Sequence, residues 1–470
     1  MKKFIDKLKN IWSIEELRNR IVFTFILVLV YRIGCYITLP GINPKIVEEA
    51  SKSNTNGGLL GILNMFAGGA FQRGSIFALG VMPYISASIF MQLAGIIVPQ
   101  VQKLQREESG RRKINQYTRY ITVIVTALQS SAYVTYLLST QPFAGAISPD
   151  ESHFTFWLST VVVLTAGTLF VMWMGERITE KGIGNGTSLL IMVGILGRFP
   201  AAIREEFLSQ TATGAGAGGY IILLVEMVIF VAVVMGLILL TQGTRRIPLN
   251  YARQLVSNAN TKDLSGSRDF IPLKVNSAGV MPIIFAQAMM FIPTVFRGFA
   301  TSDGATGFFN AIADNKSATY NIVYCVLVIA FTYFYTALIF NPTEISDNLK
   351  RNNSFIPGVK PGEDTANYVA TIMDRITLPG AVFLAIAGIL PSIASLLHVS
   401  NNFSYFYGGT SMLIGVGVIL DTLQQVESYL LMNHYDGLMK NGRITGRNAT
   451  ADQATALRGA APTNSKGISA

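Results

Sequence analysis

The sequence predicts an all-α polytopic membrane protein of about ten transmembrane helices, built as an inverted repeat. Three observations carry that prediction. Half of the 470 residues are hydrophobic and only 14% are charged, too few charges to solvate a soluble chain of this length around ordinary cores. Long apolar runs, each near the ~20 residues a span requires, recur from end to end. Two short phrases occur twice, in the same order, inside those runs.

Candidate spans begin near Ile21, Ser75, Ile121, Phe154, Thr187, Gly219, Ala278, Asn321, Leu378 and Gly408. The fifth is the shortest, because Thr187 to Phe199 ends at Arg198 and Pro200. Counting it turns the second copy of each phrase upside down. Gly80, Val81, Met82, Pro83 and Ile85 return as Gly279, Val280, Met281, Pro282 and Ile284. Gly186, Thr187, Ser188, Leu189, Leu190 and Ile191 return as Gly409, Thr410, Ser411, Met412, Leu413 and Ile414. Either phrase alone is a credible coincidence among common membrane residues; both in order point to the kind of repeat that builds sites at the bilayer midplane.

Basic residues orient the spans. Arg106, Arg111, Arg112, Lys113 and Arg119 follow the second; Arg245, Arg246, Arg253, Lys262, Arg268 and Lys274 follow the sixth; Lys350, Arg351, Lys360 and Arg375 follow the eighth. The loops from Gln141 to His153 and from Val399 to Phe406 contain no Lys or Arg. Alternate loops are basic, so both termini are expected in the cytoplasm. The net charge of +10 reflects this bias rather than a nucleic-acid surface.

The expected organisation is a cytoplasmic amphipathic segment over 1–20, a first half over 21–205, a second half over 219–430 with cytoplasmic loops at 241–275 and 341–377, and a cytoplasmic tail over 431–470. In the first segment Lys2, Lys3, Lys7 and Lys9 oppose Phe4, Ile5, Leu8, Ile11 and Trp12, which suits a helix on the membrane surface; a solvated basic leader fits nearly as well. No cleaved signal peptide is expected, for want of a small-residue cleavage site. The end of the tail, rich in Ala, Gly, Thr and Asn, is expected to be disordered. Leu59 to Ala70 is apolar but too short to cross, so it is either re-entrant or an interfacial half-helix.

No phosphate loop, zinc-protease helix or nucleophile elbow appears in the context it requires. His153, His398 and His434 are scattered, and Cys35 and Cys325 are far apart, so no catalytic residues, metal site or cofactor are expected. The Asn185-Gly186-Thr187 match to a glycosylation acceptor falls on the predicted cytoplasmic side and is read as empty. Arg32, Glu226 and Asp421 are ionisable residues within spans and so functional candidates by default, although Arg32 can snorkel and the other two fit structural roles equally well. An ion-coupled transporter of a small solute would place such groups at the repeated phrases. The phrases deliver isoleucines instead. Val81 and Ile85, four apart, share a helix face; together with Ile284, Ile191 and Ile414 they form either a mid-membrane constriction that blocks ions or ordinary packing, and spacing alone favours packing.

Longer stretches carry a resemblance. They are Ser75 to Ser88 (Ser-Ile-Phe-Ala-Leu-Gly-Val-Met-Pro-Tyr-Ile-Ser-Ala-Ser), Glu108 to Tyr120 around Gly110, Arg111 and Arg112, Ile178 to Ser188, Pro272 to Pro282, Phe340 to Leu349, and Tyr407 to Ile414. In that order, nearly end to end from the first span to the tenth, the chain resembles the SecY/Sec61-alpha family of central translocon subunits. The resemblance implies two inverted five-helix halves clamped around a pore, with a re-entrant plug helix. It implies a channel that translocates unfolded polypeptides across the bacterial inner membrane and inserts apolar segments laterally into it. An ion-coupled secondary transporter built on the same repeat is the alternative.

Carried over by position, the family's pore ring falls on Val81, Ile85, Ile191, Ile284 and Ile414, with Val81 standing where a bulkier isoleucine is usual. The plug falls on Leu59, Leu60, Ile62, Leu63, Asn64, Met65, Phe66, Gly68 and Gly69. The lateral gate implied between the second and third spans and the seventh and eighth carries Ser86, Ser88, Gln92, Gln129, Ser130, Asn276 and Gln287, which serve general helix packing equally well. Interhelical hydrogen bonds in bilayers are worth ~0.6 to 2 kcal/mol each, so a few would hold a gate that an apolar signal peptide could still displace.

The family's docking surface for the ribosome and the motor ATPase SecA falls on Arg253, Lys262, Arg268, Lys350, Arg351 and Lys360. Lys360 stands where the family has Arg, losing a planar bidentate fork, and the tip of the loop after the sixth span offers Lys262 and Arg268 in place of the dense Arg pair of the family pattern. Implied partners are the small subunits SecE and SecG, SecA, the ribosome, signal peptides and nascent polypeptides, membrane lipids, and further SecDF and YidC.

Overall fold

The computed structural model of the chain describes residues 12, 14–43, 64–106, 108–139, 153–212, 217–251, 269–296, 317–396 and 399–440. Helix α1 (Glu15–Gly34) opens on Glu15 and Glu16 and closes on Arg32, charges that oppose the partial charges of the helix ends. After it come α2 (Met82–Ile97), α3 (Pro99–Arg106), α4 (Glu108–Ser139), α5 (His153–Lys181), α6 (Gly186–Leu196), α7 (Phe199–Ala212) and α8 (Ala217–Gln242). Strands β1 (Thr244–Tyr251) and β2 (Asp269–Lys274) then lead into α9 (Met281–Phe296), α10 (Ala318–Ile339) and α11 (Pro342–Arg351). The described part ends with β3 (Ser354–Phe355), α12 (Glu363–Leu396), α13 (Asn401–Ser404) and α14 (Gly409–Lys440). Each expected apolar run overlaps a helix: α1, α2, α4, α5, α6, α8, α9, α10, α12 and α14 in turn.

Among the described residues, five helices are long and apolar enough to cross a membrane: His153–Lys181, Gly186–Thr211, Tyr220–Gln242, Ala318–Arg351 and Glu363–Leu396. The second of these corrects the short fifth span. Arg198 and Pro200 do not end it, because the chain makes one turn at Gly197 and resumes as α7, past the expected boundary at 205. Pro200 is the second residue of α7, where a missing N–H leaves no helical bond unmade. The second span starts later than Ser75, at Met82, after a run of turns that closes on Gly80 at φ +54.

Both repeated phrases recur as geometry. Gly80 (φ +54) and Gly279 (φ +65) take the left-handed conformation open to glycine, and a helix starts two residues later at Met82 and at Met281, each followed by proline. Ile85 N–H donates to the Val81 carbonyl at 3.1 Å, and Ile284 N–H donates to the Val280 carbonyl at 3.3 Å. Gly186 and Gly409 are each the first residue of a helix.

The helices are not the whole fold, because the loops after α8 and α11 build a three-stranded antiparallel sheet in the order β2-β1-β3. Ile247, Leu249 and Leu273 bury against Leu349, Ile356, Val369 and Met373, giving this end a core of its own. The Arg246 guanidinium lies 4.7 Å from the centre of the Phe270 ring. Within the bundle, one apolar cluster is centred on α1, α2 and α4 to α6, and a second on α8, α9, α10 and α12. Helix α14 serves both: Ile414 and Val418 belong to the first, Leu413 and Val416 to the second. Helix α8 instead exposes Ile221, Leu224, Val228 and Val231, a surface suited to lipid.

Candidate functional site

The ring positions come from four helices and meet on one cluster. Val81, Ile191 and Ile414 are buried members of the first core, and Ile85 and Ile284 pack against it. The same cluster holds Met65, Phe66 and Ala67 of the segment between α1 and α2.

Of the candidate plug, Leu59, Leu60, Ile62 and Leu63 lie outside the described residues. Asn64, Met65 and Phe66 form a buried helical turn. The Asn64 carbonyl accepts from Gly69 N–H at 2.8 Å, and its side-chain oxygen accepts from Gln72 N–H at 3.1 Å. The chain reverses through Gly68 (φ +64) and Gly69 (φ +86). It lies directly on α6, since a Cβ at Gly194 would fall 2.8 Å from the Phe66 carbonyl oxygen. Arg32 does not snorkel: its guanidinium donates to the Gly68 carbonyl at 3.2 Å and to the Gly197 carbonyl at 2.9 Å.

At the candidate gate, Ser86, Gln92 and Ser130 bond along their own helices, whereas Gln287 of α9 bonds Tyr324 of α10. Ser86 donates to the Met82 carbonyl at 3.1 Å, Gln92 donates to Ser88 Oγ at 3.5 Å, and the buried Ser130 donates to the Thr126 carbonyl. Gln129, Asn276 and Gln287 are half-buried. The contact across the seam is apolar. Ile89 and Leu93 of α2 pack with Met281 and Phe331 against a cluster of Ala278, Phe285 of α9 and Tyr335 of α10. Phe285 stacks obliquely on Phe331 and Tyr335, with ring centres 5.5 and 5.0 Å apart. Sequence reasoning picked out hydroxyls and amides here because polar residues stand out in an apolar run; Ile89 and Leu93 were visible as an i, i+4 pair but had no marked partner.

Of the candidate docking residues, Arg253, Lys262 and Arg268 lie outside the described residues. Lys350 and Arg351 occupy the exposed last turn of α11, and Lys360 is exposed on the loop before α12. The ionisable candidates for coupled transport do not reach the ring phrases. Asp421 is exposed on α14. Glu226 is buried near the start of α8, where the Gln210 amide bridges it (3.3 Å) to the buried Glu206 (2.9 Å). The Tyr407 hydroxyl donates to the Glu226 carbonyl at 2.7 Å; burial, then the facing carboxylates of Glu226 and Glu206, hold that phenol above the usual tyrosine range, so it stays a donor.

A SecY family profile matches residues 75–423, which include all of the candidate ring and gate. The chain belongs to the SecY family. It is 40% identical over 460 residues to the protein translocase subunit SecY of Chlamydia muridarum, covering 94% of this chain and 99% of that one. It is 39% identical over 440 residues to the same subunit of Aquifex aeolicus, with 93% and 99% covered. A solved protein-conducting channel shares the fold at a TM-score of 0.58 and 16% identity, over 87% of this chain and 92% of the other. Sec61 in the canine ribosome–channel complex from the endoplasmic reticulum does so at a TM-score of 0.55, with 16% identity and the same coverage. The ten-helix plan and the re-entrant segment are those of a SecY-family membrane protein, and the small-solute transporter reading is set aside.

Proposed function

We propose that this chain is the central subunit of a protein-conducting channel in a bacterial inner membrane, with both termini cytoplasmic. The observation that carries the reading is the meeting of Val81, Ile85, Ile191, Ile284 and Ile414 with Met65 and Phe66 on one apolar cluster. An ion entering such a constriction loses its hydration and gains nothing from hydrocarbon walls. Aliphatic side chains can rotate aside around an unfolded polypeptide of any sequence, so the constriction seals without selecting. With the 64–69 segment against it, the closed pore has two apolar barriers in series.

The gate follows from the same chemistry. A seam of Ile89, Leu93 and Phe285 makes no demand for hydrogen bonds, so an apolar signal peptide can replace each contact with an equivalent one. A polar segment finds no such replacement and stays in the aqueous path. Driving force comes from outside the chain, through SecA or the ribosome docked near Lys350, Arg351 and Lys360, with Arg253, Lys262 and Arg268 of the sequence after the sixth span as further docking candidates. SecE and SecG brace the two halves, and SecDF and YidC are further partners. The chain performs no covalent step.

The test is single-channel conductance in planar bilayers, comparing the complex of the full chain and its small subunits with one carrying Ile85→Gly, Ile191→Gly and Ile284→Gly. A silent native complex and a leaking variant support the pore. A variant that folds and stays as tight as the native complex overturns it.

A further inference from the structure

Arg32 lies in the last turn of α1, and its two hydrogen bonds join parts of the chain that are remote in sequence. Nη1 holds the carbonyl of Gly68, in the turn that ends the 64–66 segment, and Nη2 holds the carbonyl of Gly197, which caps α6. These acceptors lie 36 and 165 residues from Arg32. The slot that admits the guanidinium is made of glycine: a Cβ at Gly197 would fall 2.4 Å from Arg32 Cζ, and one at Gly68 would fall 3.0 Å from Nη1 and 3.0 Å from the Cα of Gly194. Tyr36 completes it, its ring centre 5.5 Å from Arg32 Cζ and 4.2 Å from Arg73 Cζ.

The planar fork suits this task. A guanidinium can donate to two carbonyls in divergent directions at once, whereas an ammonium on a flexible stem is a single point charge. Helix α6 packs among α5, α14 and α1, so the bond to Gly197 ties the arginine to the body of the bundle and the bond to Gly68 ties the 64–69 turn to the arginine. Acceptors in both bonds are backbone carbonyls at a turn and a helix end, groups left without a helical donor.

Resting on the channel reading above, we propose that Arg32 is the latch of the plug, a positioning residue that holds the 64–69 segment against the pore ring through the Gly68 carbonyl and releases it when that bond breaks. Losing a charge-assisted hydrogen bond in a half-buried site shifts the closed-to-open balance by about tenfold or more. Arg198 and Arg73 lie close to Gly69, but a Cβ there would meet them only at 3.8 Å, so neither is fitted into the turn as Arg32 is.

The experiment compares native complex, Arg32→Met, Arg32→Lys and the triple ring variant Ile85→Gly, Ile191→Gly, Ile284→Gly in planar bilayers without substrate, and follows amide hydrogen exchange of 64–74 and of α8 in the same samples. Expected are openings at least about tenfold more frequent in Arg32→Met, faster exchange over 64–74 with α8 unchanged, and partial rescue in Arg32→Lys. A general loss of structure would quicken exchange in α8 as well, which overturns a specific latch. If the ring variant leaks while Arg32→Met stays silent with native exchange, the latch fails and the channel stands. If the ring variant is itself silent, the channel reading fails and the latch falls with it.

Discussion

The backbone N–H of Gly184 donates to Oε1 of Gln425 across 2.8 Å, joining residues 241 apart in sequence. The donor lies in the turn between α5 and α6 and the acceptor on α14, so the bond ties the first half of the chain to the last helix of the second. Close by, the Arg20 guanidinium of α1 lies 5.1 Å from the Tyr429 ring centre. Gly184 has φ +80, and a Cβ there would stand 2.6 Å from Thr422 Cγ2. Gly184→Ala therefore forces both a strained backbone and a clash, and is expected to destabilise by ~1 to 3 kcal/mol. Gln425→Ala, which removes only the bond, should cost less. Thermal unfolding of the purified complex in detergent checks the order.

At the other end the halves meet through carboxylates. Glu206 of α7 accepts from Ser400 N–H at 2.8 Å and from Gln210 at 2.9 Å, and Glu205 accepts from Asn402 at 2.6 Å. Glu206→Ala strands the half-buried Ser400 N–H and leaves the Gln210 amide only Glu226 to donate to, an expected loss of ~1 to 2 kcal/mol, while Glu206→Gln keeps an acceptor and should lose less. Equal losses from the two variants, in the same unfolding assay, would deny these hydrogen bonds their role.

Phe285 fills the seam between α2 and α9, within the cluster that holds Tyr335, Ile89 and Leu93. Truncating a buried phenylalanine typically costs ~3 to 5 kcal/mol, and in the proposed gate the ring's packing favours the closed seam. Phe285→Ala should therefore raise the open fraction of the gate without a signal peptide. Energy transfer between dyes on α2 and α10 reads the separation directly; an unchanged distance distribution would place the closing force elsewhere.

Gly110 lies where α4 meets α3. A Cβ there would sit 2.0 Å from the Leu104 carbonyl oxygen, and backbone cannot rotate away as a side chain can. Gly110→Ala is expected to push α3 and α4 apart, seen as faster amide hydrogen exchange in α3 with the spans intact.

Much of this protein could be read from residue order because a bilayer imposes simple rules. Spans must be long, apolar and helical, and alternate loops must carry the positive charge. Those rules find the helices, and the repeated phrases mark where α2 and α9, and α6 and α14, begin in equivalent ways. The rules falter where a helix is interrupted: Pro200 looks like a stop in sequence, yet it opens α7. They also missed the sheet, since β1 and β2 lie outside any span and Pro248 and Pro272 disguise them as loops.

Residue order alone therefore specified the helices, their repeat and the apolar phrases within them, since each depends on neighbours a few positions away and on the solvent around them. Folding in three dimensions decided which of those residues meet. That Arg32 grips Gly68 and Gly197, that Gln425 caps a turn in the other half, and that Ile89 and Leu93 rather than the serines close the seam are long-range facts. Hydrogen bonds and packing act only between surfaces already brought together, and no periodicity along the chain records which surface each helix will face.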